Sequence, residues 1–353
     1  MTSITLLYGQ GSPNIGNSFF QLGGTWLIRH CWPQAELNFV SDMAGHMLPW
    51  RTQRKHGNPL NDANILSRLQ TDVVVLQGPM LNRSLASLYG HALRSLKANG
   101  TKIFLLSAGM NKYDAEEEDV SKRFLSEIKP DLLVTRDRPT YDIFKDFSPR
   151  SHCGIDSAFY CPRAYKTAAF RDKFIAMSCD QTLEPLLEQA GKTDTDSVIA
   201  VTDDLRIKVS PRTGLVARLR RGGWAGKAAA WLIPMKYPTS FGSLPIIRPF
   251  HKSNPFVAPW IYQAPNTHAS DEPYTYLNIY ANTQVTITDR VHAAIITLAY
   301  GKPTLFLGRT HRSHLFEHVC PEVNQGKLAR LDPAALRLLQ DTQIAAMSTV
   351  SLS

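Results

Sequence analysis

The chain has 353 residues, 43% hydrophobic and 20% charged, which is enough for two domains of ~100–200 residues with real cores and excludes disorder over most of its length. Its formal net charge of +9 favours anionic partners such as phosphates, acidic glycans, nucleic acid or an anionic membrane surface. The basic residues are spread out, and without zinc-finger spacing, an RNP-like aromatic motif or a lysine run no nucleic-acid module is expected.

Ile4 to Tyr8 reads as a first buried strand, followed by the glycine-rich loop Gly9 to Asn17 and a helix from about Ser18 to His30. Such a loop lets backbone approach a ligand, but it is not the G-x-G-x-x-G of a dinucleotide site. Glu36 to Val40 is a second strand, and Asp42 to Pro59 a long polar loop carrying Trp50, Arg51, Arg54 and Lys55. That loop either faces an acceptor or is plain solvated surface.

Strands follow at Val73–Gln77, Lys102–Ser107 and Leu132–Thr135, alternating with helices over about Asn82–Ala98 and Asp114–Lys129. The third of these strands runs into Thr135-Arg136-Asp137 and another helix. Gly154 to Phe159 closes the first domain, and Cys161 to Lys173 reads as the connection, which gives domains at 1–162 and 172–353.

Phe174 to Ser178 opens the second domain. Glu184 to Ala190 reads as helical, Ser197 to Val201 as a strand, Asp203-Asp204 as a turn and Arg206 to Val209 as an edge strand. Arg218 to Lys227 is basic and aromatic, suited to an exposed loop or to an acidic glycan or lipid surface. Ile246-Ile247 is a short strand, His251 to Asp271 a proline-rich loop, and Glu272 to Asn282 a helix.

Gln284 to Gly308 reads strand, helix, strand. Val285 and Ile287 make the strand, Thr288 or Asp289 caps the helix, and Val291, Ile295 and Leu298 recur at helical spacing until Gly301. Arg290 and His292 fall at the helix start, where unpaired N–H groups, the positive end of the dipole and the carboxyl edge of a sheet already favour an anion. An arginine and a histidine added there make a site for phosphate or carboxylate.

Thr288-Asp-Arg-Val-His292, with its apolar helix and Gly301-Lys-Pro303, resembles the C-terminal signature of the polysaccharide pyruvyl transferases. Three further stretches resemble that family in order: Asn14-Ile-Gly16-Asn17, Arg136-Asp137 with Thr140, and Asp156-Ser-Ala-Phe159. The family's lysine, twenty residues after the histidine, is here Arg312, and its glycine run after the third strand is only Gln77-Gly-Pro79. Arginine supplies a planar fork for carboxylate or phosphate in place of a point charge and proton donor.

The resemblance implies an α/β protein of two Rossmann-like domains facing across a cleft, similar to the GT-B glycosyltransferases. It also implies a phosphoenolpyruvate-dependent transfer of pyruvate, as a ketal, onto a polysaccharide or its lipid-linked precursor. Phosphoenolpyruvate is then a substrate, and neither cofactor nor metal is implied. By the same resemblance His292, Arg290, Arg136 and Arg312 are catalytic, while Asn14, Gly16, Asn17, Asp156, Thr288 and Asp289 bind substrate. His292 is a general acid or a phosphate ligand, and Asp156 a base toward the acceptor or a turn former. A nucleotide-sugar glycosyltransferase and a non-catalytic anionic-glycan-binding protein are the alternatives.

Five scattered cysteines without C-x-x-C spacing suit a reducing compartment, and no apolar run reaches the ~18–20 residues of a membrane span. Met1 to Tyr8 lacks the basic start of a signal peptide. A cytoplasmic enzyme is expected, peripheral at the inner face of a membrane if its acceptor is lipid-linked.

Overall fold

The computed structural model describes residues 1–8, 14–40, 65–83, 85–179, 182–191, 198–200, 205–213, 215, 219, 236–251, 264–308 and 310–352. The 42–59 loop, the turn at 203–204, nearly all of 218–227, and parts of the 9–17 and 251–271 loops lie outside them.

The first half runs β1 Ser3–Leu7, α1 Gly16–Cys31, β2 Glu36–Val40, β3 Val73–Gln77, α2 Leu85–Ala98, β4 Lys102–Ala108, α3 Ala115–Ile128, β5 Leu132–Thr135, α4 Arg138–Phe144, β6 Ser151–Cys153 and α5 Cys161–Ala164. Its six strands form one parallel sheet in the order β2-β1-β3-β4-β5-β6. A strand such as Val73–Gln77, buried at every position, suits this role because helices cover a parallel sheet on both faces. Local chemistry starts the helices: Asp114 accepts the Glu117 N–H at 2.9 Å ahead of α3, and Asp137 accepts the Thr140 N–H at 2.8 Å ahead of α4.

The second half runs β7 Ile175–Ser178, β8 Leu186–Gln189, β9 Val198–Ala200, β10 Arg206–Ser210, β11 Ser240–Phe241, β12 Leu244–Pro249, β13 Thr267–His268, α6 Tyr274–Asn282, β14 Val285–Thr288, α7 Val291–Ala299, β15 Thr304–Phe306, β16 Leu328–Ala329 and α8 Pro333–Ser348. Strands β12, β7, β14 and β15 are mutually parallel, with β11 and β16 antiparallel at the edges and β13 beside β12.

Two expectations are corrected here. The stretch expected to be helical at Glu184–Ala190 contains strand β8, and β10, expected at an edge, lies at the centre of an antiparallel β8-β10-β9 sheet. Helix-forming Leu, Glu and Gln yield to cross-strand pairing, while Ile207 and Val209 of β10 supply the buried face.

The halves share a continuous core, in which Phe19 and Phe20 of α1 belong with Tyr276 and Tyr280 of α6 and with Ala293 to Ile296 of α7. Helix α8, inside the expected 172–353 domain, returns to the first half. Gln343 Oε1 accepts the Ile155 N–H at 2.8 Å, Gln340 Nε2 donates to the Phe159 carbonyl at 2.8 Å, and Asp341 pairs with Arg163 at 2.9 Å. The molecule is thus a pair of Rossmann-like units of GT-B-like arrangement whose carboxyl strand edges meet, strapped together by the last helix.

Four partly or fully buried histidines, His152, His251, His292 and His318, are pushed below the usual imidazole pKa, in each case chiefly by burial. His251 sits between the halves, its Nε2 2.6 Å from the Tyr280 hydroxyl and its ring edge-on to Phe19. A folded-state pKa below the unfolded value of about 6.5 means that the unfolded chain takes up protons first as pH falls. Stability from these groups is therefore full above about pH 6.5 and lost below it. The melting temperature is expected to drop on acidification through that range, and to drop less in His251→Asn, as thermal melts across pH would show.

Candidate active site

The carboxyl edge of the first sheet supplies Asn14 after β1, Gly109 and Asn111 after β4, Arg136 after β5 and Asp156 after β6. The second sheet supplies Arg290 after β14 and Arg312 beyond β15, with His292 in the first turn of α7. Among these residues three polar contacts cross between the halves. Arg290 Nη2 donates to Asn14 Oδ1 at 2.7 Å, Arg312 Nη2 donates to Asn111 Oδ1, and His292 Nε2 lies 3.7 Å from Asp156 Oδ2.

Arg136 is the deepest of these cations, 1% exposed, with Nη1 3.3 Å from Asp156 Oδ2. Its Nε and Nη2 are buried without a hydrogen-bond partner among the described residues, as is Nε2 of His292. Buried polar groups without a partner are costly, and these are open to a ligand. Gly109 makes room for this guanidinium, since a Cβ there would stand 2.4 Å from Arg136 Nε. Gly16 does the same for His292, whose Nδ1 would be 2.7 Å from a Cβ.

Asp156 acts as more than a turn former. Its Oδ1 accepts the Ala158 N–H at 2.9 Å, while Oδ2 faces both Arg136 and His292. A bulge in β4 holds this corner: Ser107, at φ 53°, donates from Oγ to Ser157 Oγ at 2.9 Å and accepts the Ser157 N–H at 2.5 Å.

Charge is finely divided. Burial pushes the His292 imidazole down, Asp156 pulls it up, Arg136 and Arg312 push it down, and the net shift is downward. Burial pushes the Asp156 carboxyl up, but His292, Arg136 and the Ala158 N–H outweigh it and hold it below its usual range. With His292 neutral, Arg136 and the Ala158 N–H remain to keep Asp156 ionised. Arg312 is lowered to about 10 by burial and then by the proximity of Arg136 and Arg290, whose charges it therefore feels.

Other expected site residues have structural duties. The cap expected at Thr288 or Asp289 is corrected: Arg290 is the N-cap residue of α7, with no side-chain cap, because Thr288 and Asp289 are held by other partners. Thr288 Oγ1 donates to the Ser178 carbonyl at 2.7 Å and accepts the Arg290 N–H at 2.9 Å. Asp289 Oδ2 accepts from the Thr182 N–H and hydroxyl at 2.6 and 2.9 Å. The Asn17 N–H closes a turn onto the Asn14 carbonyl at 3.0 Å. Thr140 is fully buried, its N–H on the Asp137 cap.

Ser107, Gly109, Asn111 and Glu117 were not expected in the site or its support. Only Gly109 carried a sequence signal, as a glycine just past a strand. An open cavity of about 510 Å³ near Phe170, Arg171 and His268 contains none of the site residues.

No curated protein matches the chain. Its fold is similar to that of an S. aureus MnaA–UDP co-structure, at 13% identity over 99% of this chain and 92% of that one, with a TM-score of 0.51. It is also similar to a UDP-GlcNAc 2-epimerase from Methanocaldococcus jannaschii, at 11% identity over 96% and 91% of the two chains, with a TM-score of 0.49. At such identities the likeness is one of fold. The family model for polysaccharide pyruvyl transferase matches residues 244–311, the stretch from β12 to just before Arg312 that carries Arg290 and His292.

Proposed function

We propose that the protein is a phosphoenolpyruvate-dependent pyruvyl transferase that builds a ketal on a pair of saccharide hydroxyls. The observation that carries this reading is the convergence of Arg136, Arg290 and Arg312 with a buried His292 whose pKa is pushed down, two of Arg136's donors having no partner among the described residues. Phosphoenolpyruvate brings a carboxylate and a phosphate on three carbons, and guanidinium forks suit both.

The chemistry follows from the charges. A bound phosphate raises the pKa that burial, with Arg136 and Arg312, depresses, so that His292 takes up a proton with the donor in place. It gives that proton to the methylene carbon, and positive charge develops at the enol-ether carbon. The two hydroxyl oxygens bond to that carbon as its bond to the phosphate oxygen breaks. Of the two protons the hydroxyls release, one restores His292 and the other leaves with phosphate. Asp156, already committed to Arg136, steadies the imidazolium as it forms.

A nucleotide-sugar enzyme has the fold likeness in its favour. Against it, the buried carboxylates Asp289 and Glu184 of the second half, candidates for a ribose, are bound to Thr182 and Arg248. Among the described residues no helix is long and apolar enough to cross a membrane. A cytoplasmic location, peripheral where the acceptor is lipid-linked, is part of the proposal and does not follow from that absence. Release of phosphate from phosphoenolpyruvate that depends on a saccharide tests the reading.

A further inference from the structure

Carboxylates are at hand around Arg312, yet the group that holds it is an amide. Glu117, 1% exposed, turns Oε2 onto the N–H groups of Asn111, Lys112 and Tyr113 at 2.9, 2.6 and 3.1 Å. Asp137 caps α4 and accepts the Tyr113 hydroxyl at 2.7 Å. The loop so tied carries Tyr113 at φ 58°, a left-handed conformation costly for a bulky residue, and presents the Asn111 side-chain oxygen Oδ1 to Arg312. The same choice recurs at Asn14, whose amide oxygen holds Arg290. A carboxylate at either position would make a stronger partner and would cancel the charge.

We propose that Asn111 is a positioning residue for donor binding: anchored by Glu117, it fixes the Arg312 guanidinium across the cleft without neutralising it, so that the full positive charge is left for the anion of the substrate. The neutral amide oxygen is an exchangeable partner that phosphate or carboxylate displaces. Glu117 acts one step further back, by holding the loop. This inference rests on the donor reading above and adds a residue whose lack of charge leaves the full charge of Arg312 to the donor.

The experiment measures, for the wild type, Asn111→Ala and Asn111→Asp, the melting temperature alone and the affinity for phosphoenolpyruvate by calorimetry. Asn111→Asp keeps an acceptor oxygen in place and adds an ion pair, so its melting temperature is expected to equal or exceed that of the wild type. Its affinity is expected to fall by more than about tenfold, because an opposite charge now occupies the cation. Asn111→Ala removes the positioning but keeps the charge, so it is expected to melt lower than the wild type and to bind between the other two. A merely structural asparagine would give affinities that track stability, with Asn111→Asp binding at least as well as the wild type and Asn111→Ala the weakest. Undiminished binding by Asn111→Asp, with the wild type binding normally, overturns the inference and spares the donor reading. Absence of binding by the wild type itself overturns the donor reading, and the inference falls with it.

Discussion

Arg136→Met is expected to abolish the response to phosphoenolpyruvate and to give a stability deficit that grows with pH. The substitution removes the two unpaired donors and strips Asp156 of its guanidinium partner. Removing one partner of a buried ion pair typically costs about 3–5 kcal/mol. Here a substitute stands 3.7 Å away, because His292 can protonate against the same Asp156 oxygen once Arg136 no longer pushes its pKa down. In the wild type His292, lowered chiefly by burial, costs stability as pH falls, and a variant in which Arg136 no longer adds to that lowering loses less of it. The deficit against the wild type should therefore be smallest near about pH 5.5 and largest near about pH 8.5. Melts of both proteins over that range check it, and a pH-independent deficit would show that Asp156 and His292 do not share a proton.

His292→Gln separates chemistry from binding. Glutamine keeps a polar group beside Asp156 but cannot deliver a proton to carbon, and general acid catalysis contributes typically ~10²–10⁴ in rate. A fall in kcat of that order is expected, while the donor still raises the melting temperature through the three arginines. A ligand bound only by the folded state stabilises by RT ln(1 + [L]/Kd), about 2.7 kcal/mol at a hundredfold excess, so the two readouts are independent. Loss of the melting shift with the rate would recast His292 as a phosphate ligand, and unchanged kcat would remove it as the acid.

Much of this architecture was legible because parallel strands buried on both faces write themselves as β-branched and leucine runs. Val73–Gln77, Leu132–Thr135 and Val285–Thr288 all fall where their sequences place them. The helix start at Arg290 and His292 was legible for a second reason, that polar residues stood where apolar ones would otherwise continue. Strand β8 was not, since Leu186 to Gln189 has helical composition and its pairing with β10 is a tertiary choice. Helix α8 carries local signals, Asp332 accepting the Ala334 N–H at 3.0 Å and Pro333 in the first turn, but nothing local says that it docks on the other half. Asn111 escapes for the same reason. Its partner lies 201 residues away, and the buried Glu117 that aims it looks, in the run Glu116-Glu117-Glu118, like the solvated start of a helix.

The most direct test runs the reaction in D2O, with phosphoenolpyruvate and a panel of saccharides bearing free hydroxyl pairs, following phosphate release and the product methyl group by NMR. Phosphate should appear only with an acceptor, and the ketal methyl should carry one deuterium, delivered to the former methylene carbon. Transfer of sugar from a UDP-sugar, with phosphoenolpyruvate left intact across the whole panel, would contradict the pyruvyl transferase reading.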